Sequence, residues 1–376
     1  MTRVSGRLVL PEAVVPGHIL VKDGRITSLE EDPGAAGGSF ILPGFIDVHV
    51  HGWGGHDAMG GPAALTGMAR ALAARGVTSF LPTAVTASLE RLAGFADSVR
   101  QWLPRAPGDG AEPLGFNLEG PFLSEARKGA HDPAFLRGPA EADEAELSPL
   151  LDGLRVITVA PELPGALALI ERLAGRGVCV SLGHSAATLA QARAGYAAGA
   201  RSTTHLFNAM TGVSHRDPGL AVAALVEDDA YAELIADGYH VDSGLWPLIW
   251  RAKPSDRLLL VSDAISLAGS GRSRGRLGTL DIEVADGRAR LSDGTLAGSI
   301  IALDTAVRKM VAAGAGLVEA SLAASTNPAA LLGRGDRGRL EVGLRADLVE
   351  LDGSLEVRRV MRGGEWLPAG QAGGSA

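Results

Sequence analysis

The chain contains few of the features that mark secreted, membrane-bound or nucleic-acid-binding proteins. Its single cysteine, Cys179, excludes an intrachain disulfide, and its position in an apolar run predicts a small core residue. Basic residues number 35 against 43 acidic ones, and the net charge of −8 favours neither nucleic acid nor an anionic membrane as a partner. An anionic small molecule would therefore need a local cationic site.

Long apolar runs are also missing. No stretch is long enough to cross a bilayer, and the first six residues lack the apolar segment of a secretory signal peptide. Because a lone cysteine is in addition typical of reducing compartments, we expect a cytoplasmic protein. At 376 residues the chain is long enough to form one large α/β barrel with a sizeable core.

Both ends of the chain are rich in short strand-like segments. Alternating apolar residues there are separated by Asp-Gly turns, such as Asp23-Gly24 and Asp352-Gly353. The simplest interpretation is one small β-sandwich domain built from residues 1–42 and 341–376, with a catalytic domain at 43–340.

Strand-like and helix-like segments alternate through the middle of the chain. Alanine-rich helices are predicted, for example, at 63–75, 89–102 and 187–198, and a hairpin insertion at 275–298. Eight such units predict an α/β fold, a (β/α)8 TIM-like barrel. The predicted barrel strands are 46–52, 77–83, 114–120, 156–162, 178–184, 202–208, 232–237 and 258–264.

The most informative chemical signal is the pair His49 and His51 at the end of the first predicted barrel strand. Alternate residues of a strand share one face, so the two imidazoles project side by side, and the glycines that follow turn the backbone away. Neutral imidazole is the commonest biological metal ligand. The pair alone also fits a solvated strand end, so its meaning depends on the rest of the chain.

Polar residues end several other predicted strands. Because the active sites of such barrels form at the C-terminal ends of the strands, these side chains are expected to converge. Each has a structural alternative, such as a backbone-bonded core histidine, a helix-dipole partner or a helix cap. Together they match the histidine and carboxylate set of a zinc or iron site with room for water. They are Glu119, His184, His205, His240 and Asp263.

The motifs around these residues resemble those of a known enzyme family. Residues 43–51, with a β domain made from both ends, are similar to the amidohydrolase superfamily. Within it the chain resembles the N-acetylglucosamine-6-phosphate deacetylase family over residues 8–366. The blocks His-Leu-Phe-Asn-Ala-Met at 205–210 and Ala-Asp-Gly-Tyr-His at 236–240 are the most specific. Further matching blocks lie at 118–122, 128–131, 183–185, 216–219 and 262–264.

The resemblance implies a metal-dependent amidohydrolase that acts on a linear amide. The implied reaction is hydrolysis of N-acetyl-D-glucosamine 6-phosphate to D-glucosamine 6-phosphate and acetate, by metal-activated water. One or two divalent ions per subunit are implied, zinc first and iron as the alternative. The expected partners are the phosphosugar and a second copy of the chain in a homodimer, with no nucleic acid and no membrane.

The resemblance also assigns metal and catalytic roles. Asp263 matches the catalytic aspartate, which acts as general base and then as general acid beside the metal. His240 matches the histidine that polarises the acetamido carbonyl. The implied metal ligands are Glu119, His184 and His205 for the tighter ion, and His49 and His51, with Asp263 adjoining, for a second ion that some members lack.

Substrate contacts follow from the same resemblance. The arginine at the phosphate comes from the same subunit or from its partner, and His215 is a further candidate there. The implied contacts are Ala130 and His131 on a mobile loop, Asn208, the Ala209 backbone and Arg216 at the phosphate, and His240 at the acetamido group.

Two alternatives stay open at this stage. One is another hydrolase of the superfamily, such as a cyclic amidase, a deaminase or a deacetylase of unphosphorylated sugars. Cyclic amidases of this kind generally carry a carboxylated lysine at strand four, where this chain has Val-Ala-Pro-Glu at 159–162. The other is a catalytically inactive protein on the same fold, which would have lost metal ligands that this chain retains. The metal content of the purified protein distinguishes an active metal-dependent hydrolase from an inactive protein. The sequence does not determine which metal is bound or which hexosamine epimer is preferred.

Overall fold

The computed structural model describes residues 1–368. In chain order the strands are β1 (Thr2–Val9), β2 (Val14–Lys22), β3 (Arg25–Glu31), β4 (Phe40–Pro43), β5 (Phe45–Val50), β6 (Gly52–Trp53), β7 (His56–Asp57), β8 (Val77–Val85), β9 (Glu112–Pro113), β10 (Phe116–Glu119), β11 (Leu154–Val159), β12 (Cys179–Leu182), β13 (Ser202–Thr203), β14 (Tyr231–Leu234), β15 (Leu258–Leu260), β16 (Arg274–Leu277), β17 (Leu280–Ala285), β18 (Arg288–Arg290), β19 (Leu348–Leu351), β20 (Val357–Arg362) and β21 (Glu365–Trp366). The α-helices are α1 (Pro62–Ala73), α2 (Leu89–Trp102), α3 (Glu144–Leu151), α4 (Ala166–Ala174), α5 (Leu189–Ala197), α6 (Leu220–Val226), α7 (Trp246–Ala252), α8 (Leu303–Ala312), α9 (Leu317–Ser321) and α10 (Asn327–Leu331), and a π-helical turn at Leu322–Thr326 joins the last two.

The central sheet confirms the predicted barrel. Parallel strands pair in the order β5, β8, β10, β11, β12, β13, β14 and β15. The C-terminal end of the first strand meets the segment that follows the last strand, where Asp263 N donates to His49 O at 2.9 Å and His51 N donates to Ala264 O at 2.8 Å. Closure therefore brings the polar residues that follow β5 and β15 next to each other.

Several barrel strands end earlier than the sequence predicts. The predicted strands at 178–184 and 258–264 run through the polar residues, whereas β12 and β15 stop before them. The backbone is left-handed beyond these two ends and beyond the end of β13, with φ of 46° at His184, 48° at Asp263 and 28° at His205. A positive φ cannot continue a strand and costs a non-glycine residue about 1–3 kcal/mol, so tertiary contacts must hold these residues in place.

The two ends of the described chain form a second sheet, as predicted. Its seven strands pair in the order β21, β20, β19, β4, β1, β2 and β3 within one hydrogen-bonded sheet. The sheet encloses a core drawn from both ends, including Ile19, Ile41 and Met361. The division of the chain at residues 42 and 340 stays a prediction, and residues 369–376 lie outside the described part of the chain.

The predicted helices at 63–75, 89–102 and 187–198 correspond to α1, α2 and α5, each within two residues at either end. Side-chain caps define two of the starts, because Ser88 accepts from Arg91 N and Thr188 forms a reciprocal capping box with Gln191. The predicted hairpin insertion is a three-stranded sheet, β16 to β18. No helix within residues 1–368 is long and apolar enough to cross a membrane.

Candidate active site

A cavity of about 360 Å³ opens at the C-terminal end of the barrel strands. One wall is formed by the β16–β18 insertion through Leu277 and Leu296, and Thr279 of the insertion donates a 2.7 Å hydrogen bond to Asp132 Oδ2. The other walls carry most of the site residues that the sequence predicts. These are His51, Glu119, Ala130, His131, His184, His205, Asn208, Ala209, His240 and Asp263.

Glu119, the last residue of β10, lies at the centre of a cluster of histidines. Its Oε1 atom is 3.0 Å from His184 Nε2 and 2.9 Å from His205 Nε2. Its Oε2 atom is 3.1 Å from His51 Nε2 and 3.2 Å from His131 Nε2. His184 and His205, which both face Oε1, form with Glu119 the first group of candidate ligands.

His49 and His51 form the second group together with Asp263. Their Nε2 atoms are 3.3 Å apart. Asp263 Oδ1 lies 3.6 Å from His49 Nε2 and 3.2 Å from His51 Nε2. With Glu119, the four residues offer donor atoms that all lie within 4.8 Å of one another. His49 is fully buried and lies outside the cavity lining, whereas His51 lines the cavity.

Backbone carbonyl groups hold the outer nitrogens of two histidines. His184 Nδ1 is 2.9 Å from the carbonyl oxygen of Arg127, and His51 Nδ1 is 3.1 Å from that of Thr83. A carbonyl oxygen only accepts, so each Nδ1 carries a proton, and each Nε2 is the ring nitrogen that faces Glu119 and is available to a cation. Such partners for the outer N–H are typical of metal-binding histidines.

This donor set fits a divalent cation. The Nε2 atoms of His184 and His205 lie only 3.0 Å apart, an arrangement that a shared cation would stabilise. Three buried carboxylates of the cluster, those of Glu119, Glu233 and Asp263, face histidine nitrogens, and no lysine or arginine among residues 1–368 forms a salt bridge with them. Imidazole and carboxylate together are ligands that suit zinc and iron.

The charges of the cluster shift the pKa values of its members. Burial alone would lower the pKa of His51, but hydrogen bonds with Asp263 and Glu119 raise it to about 9. Burial, reinforced by the neighbouring His131, lowers the pKa of His184 to about 4. Burial would raise the pKa of Asp263, yet its hydrogen bond with His51 holds it below the ordinary value. Asp263 is therefore ionised at neutral pH, as a proton acceptor must be.

His131 lies beside the other histidines. Its Nδ1 atom is 2.8 Å from Thr86 Oγ1, whose hydroxyl donates to the Glu119 carbonyl oxygen at 3.0 Å. Its Nε2 atom is 3.2 Å from Glu119 Oε2, and together with Glu119 and His184 it offers donor atoms that lie within 4.8 Å of one another. Because His131 also lines the cavity, it is placed to contact a bound cation or a substrate oxygen.

His240 is held in place by Asp237. Asp237 Oδ2 accepts from His240 Nδ1 at 2.7 Å, and Oδ1 accepts from the backbone N–H groups of Tyr239 and His240, each at 2.8 Å. Burial would raise the pKa of Asp237, but these hydrogen bonds keep it below its ordinary value. The paired carboxylate orients the imidazole of His240, which lines the cavity.

The structure separates the predicted phosphate contacts. Asn208 and Ala209 line the cavity, and a φ of 48° at Ala209 places this residue in a left-handed turn. Arg216 and His215 lie on the exposed segment between β13 and α6, outside the cavity lining. Arg127 is the basic side chain that lines the cavity.

No role was predicted from the sequence for Asp237, which holds His240, and two further residues of the site were missed. Glu233, fully buried in β14, has its Oε2 atom 3.0 Å from His49 Nδ1 and 3.1 Å from His205 N. A charged residue inside a strand that is buried on both faces is the signal that would have indicated it. Arg127 has no comparable signal, because its place at the cavity depends on the path of an irregular loop.

The barrel and its cluster of histidines and carboxylates define the class of metal-dependent hydrolases. The chain belongs to the amidohydrolase family, whose model matches residues 40–367.

The relatives of the chain confirm the resemblance to one group of deacetylases. The chain is 40% identical over 382 residues to the N-acetylglucosamine-6-phosphate deacetylase of Bos taurus, covering 96% of this chain and 89% of the relative. It is 39% identical over 373 residues to the N-acetylgalactosamine-6-phosphate deacetylase of Escherichia coli O157:H7, covering 96% and 98%. A solved structure of a variant N-acetyl-D-glucosamine-6-phosphate deacetylase from Mycobacterium smegmatis, in complex with N-acetyl-D-glucosamine 6-phosphate, superposes with a TM-score of 0.91 at 34% identity, covering 97% and 99%.

Proposed function

We propose that the protein hydrolyses N-acetyl-D-glucosamine 6-phosphate to D-glucosamine 6-phosphate and acetate. The observation that carries the proposal is that one cavity combines a cluster fit for divalent ions with an ionised aspartate and a carboxylate-held histidine. The relatives named for hexosamine-phosphate deacetylation support the same reaction.

The chain's own residues supply the proton transfers of this reaction. Hydrolysis adds one water, breaks the amide C–N bond and leaves acetate and a free amine. A bound divalent ion makes water more acidic and polarises a carbonyl oxygen. Asp263 accepts a proton from the attacking water and delivers it to the departing nitrogen. His240 donates a hydrogen bond to the amide oxygen while Asp237 balances its charge, and one such donor is worth about 3 kcal/mol.

We further propose two ions per subunit, with zinc as the metal and iron as the alternative. Glu119, His184 and His205 would hold the first ion. His49 and His51 would hold the second, with Asp263 adjoining. The first site is supported by the distances from Glu119 Oε1 to His184 and His205, 3.0 and 2.9 Å, and the second by donor atoms of His49, His51, Asp263 and Glu119 that lie within 4.8 Å of one another.

The sugar and its phosphate are proposed to lie between two sets of residues. Ala130 and His131 would contact the sugar, and Asn208 with the Ala209 backbone would contact the phosphate. Arg216 lies exposed outside the cavity of its own chain, which supports a homodimer in which it reaches the partner's phosphate site. The single buried cysteine supports a cytoplasmic location.

Arg216→Ala is expected to raise KM for the phosphosugar by a factor of roughly 10–100, about the worth of a charge-assisted hydrogen bond. Turnover of unphosphorylated N-acetylglucosamine should hardly change, because that substrate offers no phosphate. Steady-state rates on both substrates measure the effect. An equal loss on both would contradict the assignment.

Mixed dimers decide which subunit supplies the arginine. When Arg216→Ala and Asp263→Asn chains are mixed after dissociation, a hybrid contains one intact site only if the arginine acts across the dimer. Random pairing then restores about one quarter of the wild-type rate. No recovery above the separate variants would place Arg216 in its own subunit.

Acetate release tests the proposed reaction. Purified protein is given N-acetylglucosamine 6-phosphate, its galactosamine epimer and unphosphorylated N-acetylglucosamine. We expect acetate from the phosphosugars at a far higher kcat/KM than from the unphosphorylated sugar. The kcat/KM values of the two phosphosugars show which epimer is preferred. No acetate from either phosphosugar would reject the proposed function.

A further inference from the structure

Glu233 is a buried carboxylate that the mechanism above does not use. It lies in β14 with none of its surface exposed, and it is not part of the cavity lining. Its Oε2 atom accepts from His49 Nδ1 at 3.0 Å and from the backbone N–H of His205 at 3.1 Å. Its Oε1 atom has no hydrogen-bond partner within the described residues.

Burying a carboxylate in this position is unfavourable for the stability of the fold. Within residues 1–368 the only ion pair of Glu233 is with His49, and burial of an incompletely paired charge is strongly unfavourable. Its strand neighbours Ala232 and Leu234 are apolar and fully buried. An apolar side chain would pack more favourably in the same place. The presence of Glu233 is therefore explained by its hydrogen bonds to His49 and His205.

The contact to His49 fixes the orientation of that ring. A carboxylate only accepts, so His49 Nδ1 carries a proton, and Nε2 is the ring nitrogen that faces His51 and Asp263. The outer nitrogens of His51 and His184 meet neutral carbonyl oxygens instead. Among these three rings, His49 alone is held by a full negative charge, which makes its inner nitrogen a stronger ligand.

The same carboxylate oxygen also reaches the first group of ligands. It accepts from the backbone of His205, a residue held at a φ of 28° that its own conformational preference disfavours. One atom thus links the backbone of a residue in the first group to the side chain of a residue in the second.

We propose that Glu233 is a positioning residue that prepares His49 to bind the second divalent ion. This role rests on the proposed two-ion site and is independent of which substrate is hydrolysed. Glu233 acts through His49 and touches neither the cavity nor the reacting atoms.

Glu233→Gln tests the proposal, because it keeps the size and an oxygen acceptor but removes the charge. Metal-free full-length protein is titrated with Zn²⁺ against a chromophoric chelator. We expect the Kd of the second ion to rise by about 10–100-fold, the usual effect of losing such a partner, while the first ion changes by less than about threefold. Asp304→Asn is the matched control, since Asp304 is an equally buried carboxylate on α8 that pairs with Arg75, and both ions should bind as in wild type.

Three results would overturn the proposal: an unchanged second Kd, an equal weakening of both ions, or binding of a single ion by the wild type. If Glu233→Gln does not fold, Glu233→Asp replaces it. The shorter side chain moves the carboxylate away from His49, so we expect the same rise in the Kd of the second ion. Selective loss of the second ion in a protein that releases no acetate would support the proposal and reject the proposed substrate, so the two failures are distinguishable.

Discussion

Asp263→Asn is expected to lower kcat by a factor of about 100 to 10⁴, the usual contribution of a general base. Asparagine preserves the size of the side chain and the backbone hydrogen bonds to His49 and Ser299, but it cannot accept the proton of water. Substrate affinity and the first ion should be retained. Single-turnover rates and metal content of the same preparation measure the two effects separately.

The structural alternative for Asp263 is that it only orients His51, whose Nε2 lies 3.2 Å from its Oδ1 atom. The amide oxygen of asparagine can keep that contact, so an orienting role predicts a small loss. A variant that retains most of its kcat would therefore assign the proton transfer elsewhere, with His240 as the next candidate.

Glu119→Gln is expected to abolish metal binding and activity together. Both oxygens of Glu119 face imidazoles, and an amide offers only one oxygen and places an NH₂ group against the other set. We expect fewer bound ions per chain and a fall in acetate release of at least about 100-fold. Metal analysis and rate measurements on the same sample give both values.

Glu162→Gln is the matched control for this loss. Glu162 follows β11 at the same end of the barrel, and it accepts from Ser185 Oγ at 2.6 Å rather than from the cluster. Its variant should keep its ions. If Glu119→Gln lost activity while it kept both ions, the carboxylate would act on the substrate instead of the metal.

The fold was largely predictable because its signals are local. Apolar strands alternate with alanine-rich helices, and α2 begins and ends at the predicted residues, with Ser88 as the cap of its start. The strand ends were not predictable. The left-handed backbone at His184, His205 and Asp263 opposes the preference of each residue, and only contacts with distant parts of the chain explain it.

The candidate site was predictable where strand order determines it. Polar residues that end parallel strands of a barrel must meet, which is why Glu119 and His184 were expected close together. The partner of His49 was not, because Glu233 lies 184 residues away and carries no motif of its own. The exposed place of Arg216 was equally hidden, since the position of a surface loop depends on the path of its backbone.

The most direct test of the metal-dependent reaction couples ion occupancy to turnover. Metal-free protein is titrated with Zn²⁺ while acetate and free amine released from N-acetylglucosamine 6-phosphate are measured at each step. We predict no release without ions, and acetate and amine in equal amounts at a rate that rises with the ions bound. Acetate release from the metal-free protein at the rate of the loaded one would contradict the role of the cluster in hydrolysis.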